Sequence, residues 1–187
     1  VRSSSLLEDS HHMPAAGVYP TFMLPNNQPD PSARLLALLD AVRHIFAATF
    51  FSPAKAYFAS TASRVEEEKM AVVIQQIVGR RHGDVVYPNL AGVAQSHNFY
   101  PVREMRAEDG VATVALGFGR TVVDGGRAVR FSPAYPEWLP QFSSPDEILD
   151  HAQRRFWALD VTRQPDLRVL DPVDGLIDLG LDAAEAH

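Results

Sequence analysis

Apolar residues recur along this chain with two different periods, and the switch between them divides it. Between residues 32 and 50, Leu35, Leu38, Leu39, Val42, Ile45, Phe46 and Phe50 fall at helical spacing. The start of that helix is written just ahead of them. Asp30 offers an acceptor side chain at the cap, and Pro31 stands where its missing N–H costs nothing. Ser52-Pro53 marks a second helix running to about Ala62, and residues 19–24 (YPTFML) read as a short strand closed by the turn-rich PNNQPDP.

After a charged stretch at 64–69 the pattern changes. Residues 70–78 (MAVVIQQIV) are rich in β-branched side chains and have the length of a buried strand. GRRHGD then turns the chain into Val85-Val86-Tyr87, and 90–96 is a further strand. Residues 111–116 and 128–131 bracket a glycine-rich turn. SSPDEILDHAQRRFWALD begins with a capping-box pattern, Ser144 with Glu147 three residues on, and Ile148, Leu149, Ala152 and Phe156 supply the inner face of the helix it predicts. From Val161 the chain is acidic with scattered leucines, which predicts a loop-rich C-terminal extension over 161–187. Helices, then strands of one mostly antiparallel sheet, then a helix predict an α+β fold over 1–160.

Composition changes this picture little. A 46% hydrophobic, 21% charged chain of 187 residues has the balance of a globular domain. With no cysteine it can form neither a disulfide nor a thiolate zinc site, and it has no cysteine nucleophile, which fits a cytoplasmic protein. The formal charge of −6 speaks against non-specific nucleic-acid binding, because phosphate neutralisation needs clustered cations and Arg80-Arg81 is too small a patch. No uninterrupted apolar run reaches the roughly 20 residues of a membrane helix, so no membrane partner is expected.

Several residues can carry chemistry, each beside a plainer reading. Arg2, at a strand end and followed by three serines, can grip a phosphate in two places while hydroxyls and backbone N–H groups add donors; it can equally be a solvated arginine. His11-His12 falls short of the three or four converging ligands that zinc requires. Gln75 and Gln76 interrupt an apolar strand, so one side chain must face inward and find a partner. GFGRTVVDGG, residues 117–126, is a glycine-rich turn of the sort that lets phosphate approach backbone, yet it lacks the Gly-Lys-Ser of a P-loop. Glu66-Glu67-Glu68 reads as a solvated charge run.

The order of these pieces is more informative than any one of them. VRSS, then Glu8-Asp9, then Ala15-Ala16-Gly17, a long helix, an MAVVIQ strand, an AGV strand and a G-x-G turn form a series. That series resembles the ATP-binding (ATP-grasp) domain of the phosphoenolpyruvate synthase and pyruvate phosphate dikinase family, over residues 1–133. VRSSSLLED and SPAKAYF…MAVVIQQIV are its most specific parts. The resemblance implies an ATP-grasp-like fragment with Val1 at a cut edge and the family's phosphate-binding lysine upstream. It also implies that ATP gives its β-phosphate to a histidine on a separate domain, and that a further domain passes the phosphate to an acceptor. Neither domain is in this chain, so the chain alone is not expected to complete the reaction.

By the same resemblance, Arg2 matches the phosphate-gripping arginine, and Ala16-Gly17 lies in the loop that closes over the phosphates. Gln75 matches the glutamine of the strand beside the nucleotide, and the backbone of Gln76, Ile77 and Val78 meets the adenine edge. Gly92 matches the glycine of the next strand. One departure bears on the cofactors, ATP and Mg²⁺. The synthases carry GLGE, whose glutamate helps hold Mg²⁺, where this chain has GFGR with Arg120. Either metal binding is lost there, or the arginine replaces one positive charge by another and Asp124, or Glu108 and Asp109, take the metal. Three other readings stay open: a non-catalytic nucleotide-sensing or docking relative, a dikinase acting on a different acceptor, and a plain interaction module.

Overall fold

A computed structural model of the chain describes residues 1–6, 8, 17–61, 68–142, 144–163 and 173–185. Helices and mainly antiparallel sheets mix along it, as an α+β chain requires. Two compact units divide it: Val1–Ile77 with Leu159–Leu176, and Val78–Ala158 with Ile177–His187.

In the first unit, β1 (Arg2–Ser5) lies between β2 (Thr21–Phe22) and β3 (Met70–Val73), both antiparallel to it. A short strand, β10 (Val173–Asp174), joins β2 in parallel. Helix α1 (Pro31–Ala48) begins as its sequence requires, with the Asp30 carboxylate accepting from the Ser32 N–H at 2.9 Å. It buries Ala41 and Ile45 against Phe22, with Leu24, Met70 and Val72 closing over them. Helix α2 (Ser52–Ser60) brings Ala54 and Phe58 against Tyr19 and Ala48. Its cap position belongs to Phe51, not to Ser52: the helix is interrupted by a turn over Thr49–Phe51, where Phe50 and Phe51 donate back to Ala47 and Ala48, and helical geometry resumes at Ser52. Taken as one stretch, Pro31–Ser60 is long and apolar enough to cross a membrane by length and composition. The turn at 49–51 divides it into α1 and α2.

Side chains alternate across a strand, so Ser3 and Ser5 face inward together. Both are buried, and both are held by Glu8: its carboxylate accepts from the Ser3 hydroxyl at 3.0 and 3.2 Å and from the Ser5 N–H at 3.3 Å, while the Glu8 N–H donates to the Ser5 hydroxyl at 3.1 Å. Glu68, expected as part of a solvated run, is a structural residue. Its carboxylate accepts from the buried Tyr19 hydroxyl at 2.7 Å, from the Leu6 N–H at 3.1 Å and from the Lys69 N–H at 2.8 Å. Burial first, and Glu68 second, push the Tyr19 phenol above its usual range, so it remains a donor.

The second unit holds two further sheets. Strands β4 (Arg80–His82), β5 (Val85–Tyr87), β9 (Arg155–Asp160) and β11 (Leu176–Gly180) run in the order β11-β9-β5-β4, the last two residues of β9 and the first of β11 counting with the first unit. Strands β6 (Ala91–Gln95), β7 (Val111–Ala115) and β8 (Val129–Phe131) form an antiparallel three-stranded sheet. Tyr87, Phe156 and Ala158 make the core beside the former, covered by Leu116, Phe118, Ile177 and Leu179.

Four expectations need correcting. Instead of one sheet there are three, because long-range partners decide the pairing. The strand expected over 70–78 ends at Val73, where its ladder with β1 ends at the pair Arg2↔Val73. The helix expected to carry Phe156 stops at His151: α4 (Pro145–His151), capped by Ser144, leaves Ile148 and Leu149 exposed, and Phe156 and Ala158 alternate inward on a strand. A short apolar run fits either period, and here the core selects period two. The described part of 161–187 is not merely loop but carries β10, β11 and the helical turn α5 (Asp182–Glu185).

Two stability predictions follow from these contacts. Tyr19→Phe removes a buried charge-assisted hydrogen bond and is expected to lower the unfolding free energy by about 1.5–3 kcal/mol in urea; an unchanged midpoint would mean that water already satisfies Glu68. At Gly92 on β6, a Cβ would stand 2.5 Å from the Thr113 carbonyl and 2.9 Å from Val114 Cγ1. Gly92→Ala is therefore expected to destabilise by about 1–3 kcal/mol, read as a lower thermal midpoint.

Candidate functional site

The residues singled out for nucleotide chemistry fall on both units: Arg2, Gly17, Gln75, Gln76 and Ile77 on the first, and Val78, Gly92 and Arg120 on the second. Arg2 opens β1 on the face opposite Ser3 and Ser5, exposed, its Nε donating to the Ser3 carbonyl at 3.4 Å. The hydroxyls of Ser3 and Ser5 do not join it, because Glu8 holds them on the buried face. Gly17 is exposed at φ +77, with open space where a side chain would be. Ala16, His11 and His12 lie outside the described residues.

Neither glutamine of the QQ pair faces inward. Residues 74–79 belong to no strand, and Gln75 and Gln76 are both exposed. Val78 is exposed too and Ile77 half-buried, so this segment offers backbone that no sheet consumes. Gly92 lies on β6 opposite Val114, where the ladder itself demands a glycine.

Around Arg120 the second unit builds a pocket. After β7 the chain turns at Gly117, buried at φ +81. A Cβ there would meet the Trp157 carbonyl at 2.6 Å and the Phe156 ring at 2.9 Å, so only glycine lets this turn lie against β9. The Phe118 N–H donates to the Trp157 carbonyl at 2.9 Å, and the Gln153 amide pairs with both backbone groups of Leu116, at 2.8 and 3.0 Å. Within the expected glycine-rich turn the chain forms a helical turn, α3 (Arg120–Val123).

This placement sets the Arg120 guanidinium over the Trp157 ring, its central carbon 4.3 Å from the centroid. Its Nε donates to Asp124 at 3.0 Å, an i,i+4 pair whose carboxylate is open to solvent and which contributes at most about 1 kcal/mol. Beside it opens a cavity of about 400 Å³ lined by Arg120, Arg127, Arg154 and Arg155 together with Asp124 and Asp178. Arg155 is paired with Asp178, Nε to Oδ2 at 2.5 Å, and Arg154 donates to the Leu149 carbonyl at 2.8 Å.

The metal candidates do not converge. Asp124 is engaged by Arg120. Asp109 closes a 3₁₀ turn, Ala107–Asp109, by accepting the Arg106 N–H at 2.6 Å, and Glu108 is exposed on the same turn. Among the described residues no three Asp, Glu or His side chains gather into a metal-holding group. Around Arg120 the donor set therefore does not fit Mg²⁺.

A helix over 144–160 hides the pocket residues Gln153, Arg154, Arg155 and Trp157, and Arg127 follows the glycine-rich stretch with no motif of its own. Alternation through RFWALD is the signal for two of them, since it sets Arg155 and Trp157 on the face opposite Phe156.

Comparison with known proteins adds one positive finding. The family model described as pyruvate phosphate dikinase, AMP/ATP-binding domain, matches residues 1–137. No curated protein and no solved structure matches the chain. The match covers β1 to β8, every described candidate residue, and the part of the pocket that α3 and the following turn supply. The chain belongs to the pyruvate phosphate dikinase AMP/ATP-binding domain family.

Proposed function

We propose that this chain is the ATP-binding part of a multidomain phosphotransferase, in which ATP yields its β-phosphate to a histidine on another domain and the phosphate then passes to an acceptor. The family match over residues 1–137 carries the reading. It extends to an ATP-grasp-like fold and a cytoplasmic setting, where an ATP pool is at hand. Arg2 is exposed and free of any carboxylate partner among the described residues, which suits an arginine kept for phosphate. The backbone of 75–78 lies outside every sheet and can receive hydrogen bonds from an adenine edge. Gly17 can let a loop close over phosphates. Mg²⁺ would supply charge neutralisation to the transferred phosphoryl group. The residues around Arg120 do not supply ligands for it.

A second reading, a non-catalytic nucleotide sensor or docking relative, draws support from the Arg120–Asp124 pair, which occupies a carboxylate a transferase would turn to metal. A dikinase with a different acceptor remains the same proposal at this site, since the acceptor is recognised elsewhere.

Titration of ATP into the full chain, in magnesium buffer and again in EDTA, is the direct test, repeated on Arg2→Ala. Losing one charge-assisted contact predicts an affinity roughly 10- to 100-fold lower in the variant. Equal affinities would remove Arg2 from the site, and absence of heat with both proteins in either buffer, confirmed folded by circular dichroism, would overturn the ATP reading.

A further inference from the structure

The Arg120 pocket combines three features that point to one ligand chemistry. First, its lining is cationic: four arginines against two aspartates. Second, each aspartate already serves an arginine, Asp124 on Arg120 and Asp178 on Arg155. Arg127 has no partner among the described residues, and Arg154 holds only a neutral carbonyl. Third, Arg120 is oriented by its stack on Trp157 and by its Nε contact, so the fork of terminal nitrogens is left for a ligand.

Such a pocket is unsuited to a divalent cation. Mg²⁺ holds six oxygens in near-octahedral order, usually one or two carboxylates with phosphate and water. To supply one here, Asp124 would have to leave Arg120, placing an unpaired guanidinium beside the metal in a pocket with three more arginines. A phosphate chain makes the opposite exchange at no such cost. Its oxygens replace the weak, solvent-exposed carboxylate contact of Arg120 and meet Arg127 and Arg154, whose fork geometry suits phosphate.

We infer that this pocket takes the phosphate chain of a nucleoside polyphosphate without a divalent cation, guanidinium groups standing where a magnesium ion would otherwise neutralise the charge. The inference rests on the ATP reading for the identity of the nucleotide, and on the pocket alone for the absence of metal. The accepted species is then the free polyphosphate anion, not its magnesium complex. Arg120 and Arg127 are the binding residues that decide it.

The test is calorimetry on the full chain at constant ionic strength, with ATP and separately with inorganic tripolyphosphate, in EDTA and in excess Mg²⁺. Wild type, Arg127→Gln and Arg120→Glu are compared, thermal melts confirming that all three fold. ATP is expected to bind wild type in EDTA at least as tightly as in Mg²⁺. Arg127→Gln should lose roughly tenfold in EDTA, and Arg120→Glu should invert the preference so that Mg²⁺ strengthens binding. Wild-type binding that Mg²⁺ strengthens tenfold or more would overturn the inference and leave the ATP reading standing. Tripolyphosphate binding in EDTA without ATP binding would uphold the metal-free pocket and remove the nucleotide. Failure of both ligands in EDTA, with ATP binding only in Mg²⁺, would again overturn the inference alone; failure under every condition would overturn both.

Discussion

The close approach of Gly117 to β9 is the constraint on which the candidate pocket depends. A turn with positive φ, buried and pressed against the Trp157 carbonyl, can be made only by a residue without a side chain. Once made, it brings α3 beside Trp157 of the strand, and the Gln153 amide fastens the end of β7 to the start of β9 by bonding both backbone groups of Leu116. Arg120 reaches Trp157 because these backbone contacts leave it nowhere else to begin. The chemistry of the pocket is thus set by main-chain geometry first and by side-chain identity second.

In the first unit the alternation of a four-residue strand sorts an exposed cation from the structural groups in the same way. Ser3 and Ser5 turn inward and are consumed by Glu8, while Arg2 is left outside with its charge unspent. Glu68 then ties the far end of the same strand, through the Leu6 N–H, to the buried Tyr19 hydroxyl. A strand so anchored can present an arginine without that arginine contributing to its own support.

Charge balance separates the two halves of the functional picture. Phosphoryl transfer needs developing negative charge to be spread, and either metal ions or guanidinium groups can do that. Around Arg120 the carboxylates are paired with arginines, so the balance there lies with the guanidinium groups.

Much of this was legible in the chain itself. The cap at Asp30 and the apolar spacing after it determine α1, because both are local and act within one or two turns. The family was legible as well, since a succession of short motifs survives in primary order whatever their contacts are. What the tertiary structure alone decided were the roles that depend on distant partners. Glu68 finds Tyr19 across 49 residues, and Gln153 finds Leu116 across 37. RFWALD became a strand because Phe156 and Ala158 had a core to enter on one face, and that choice placed Trp157 under Arg120. Periodicity over six residues cannot make such a choice; a neighbouring sheet can.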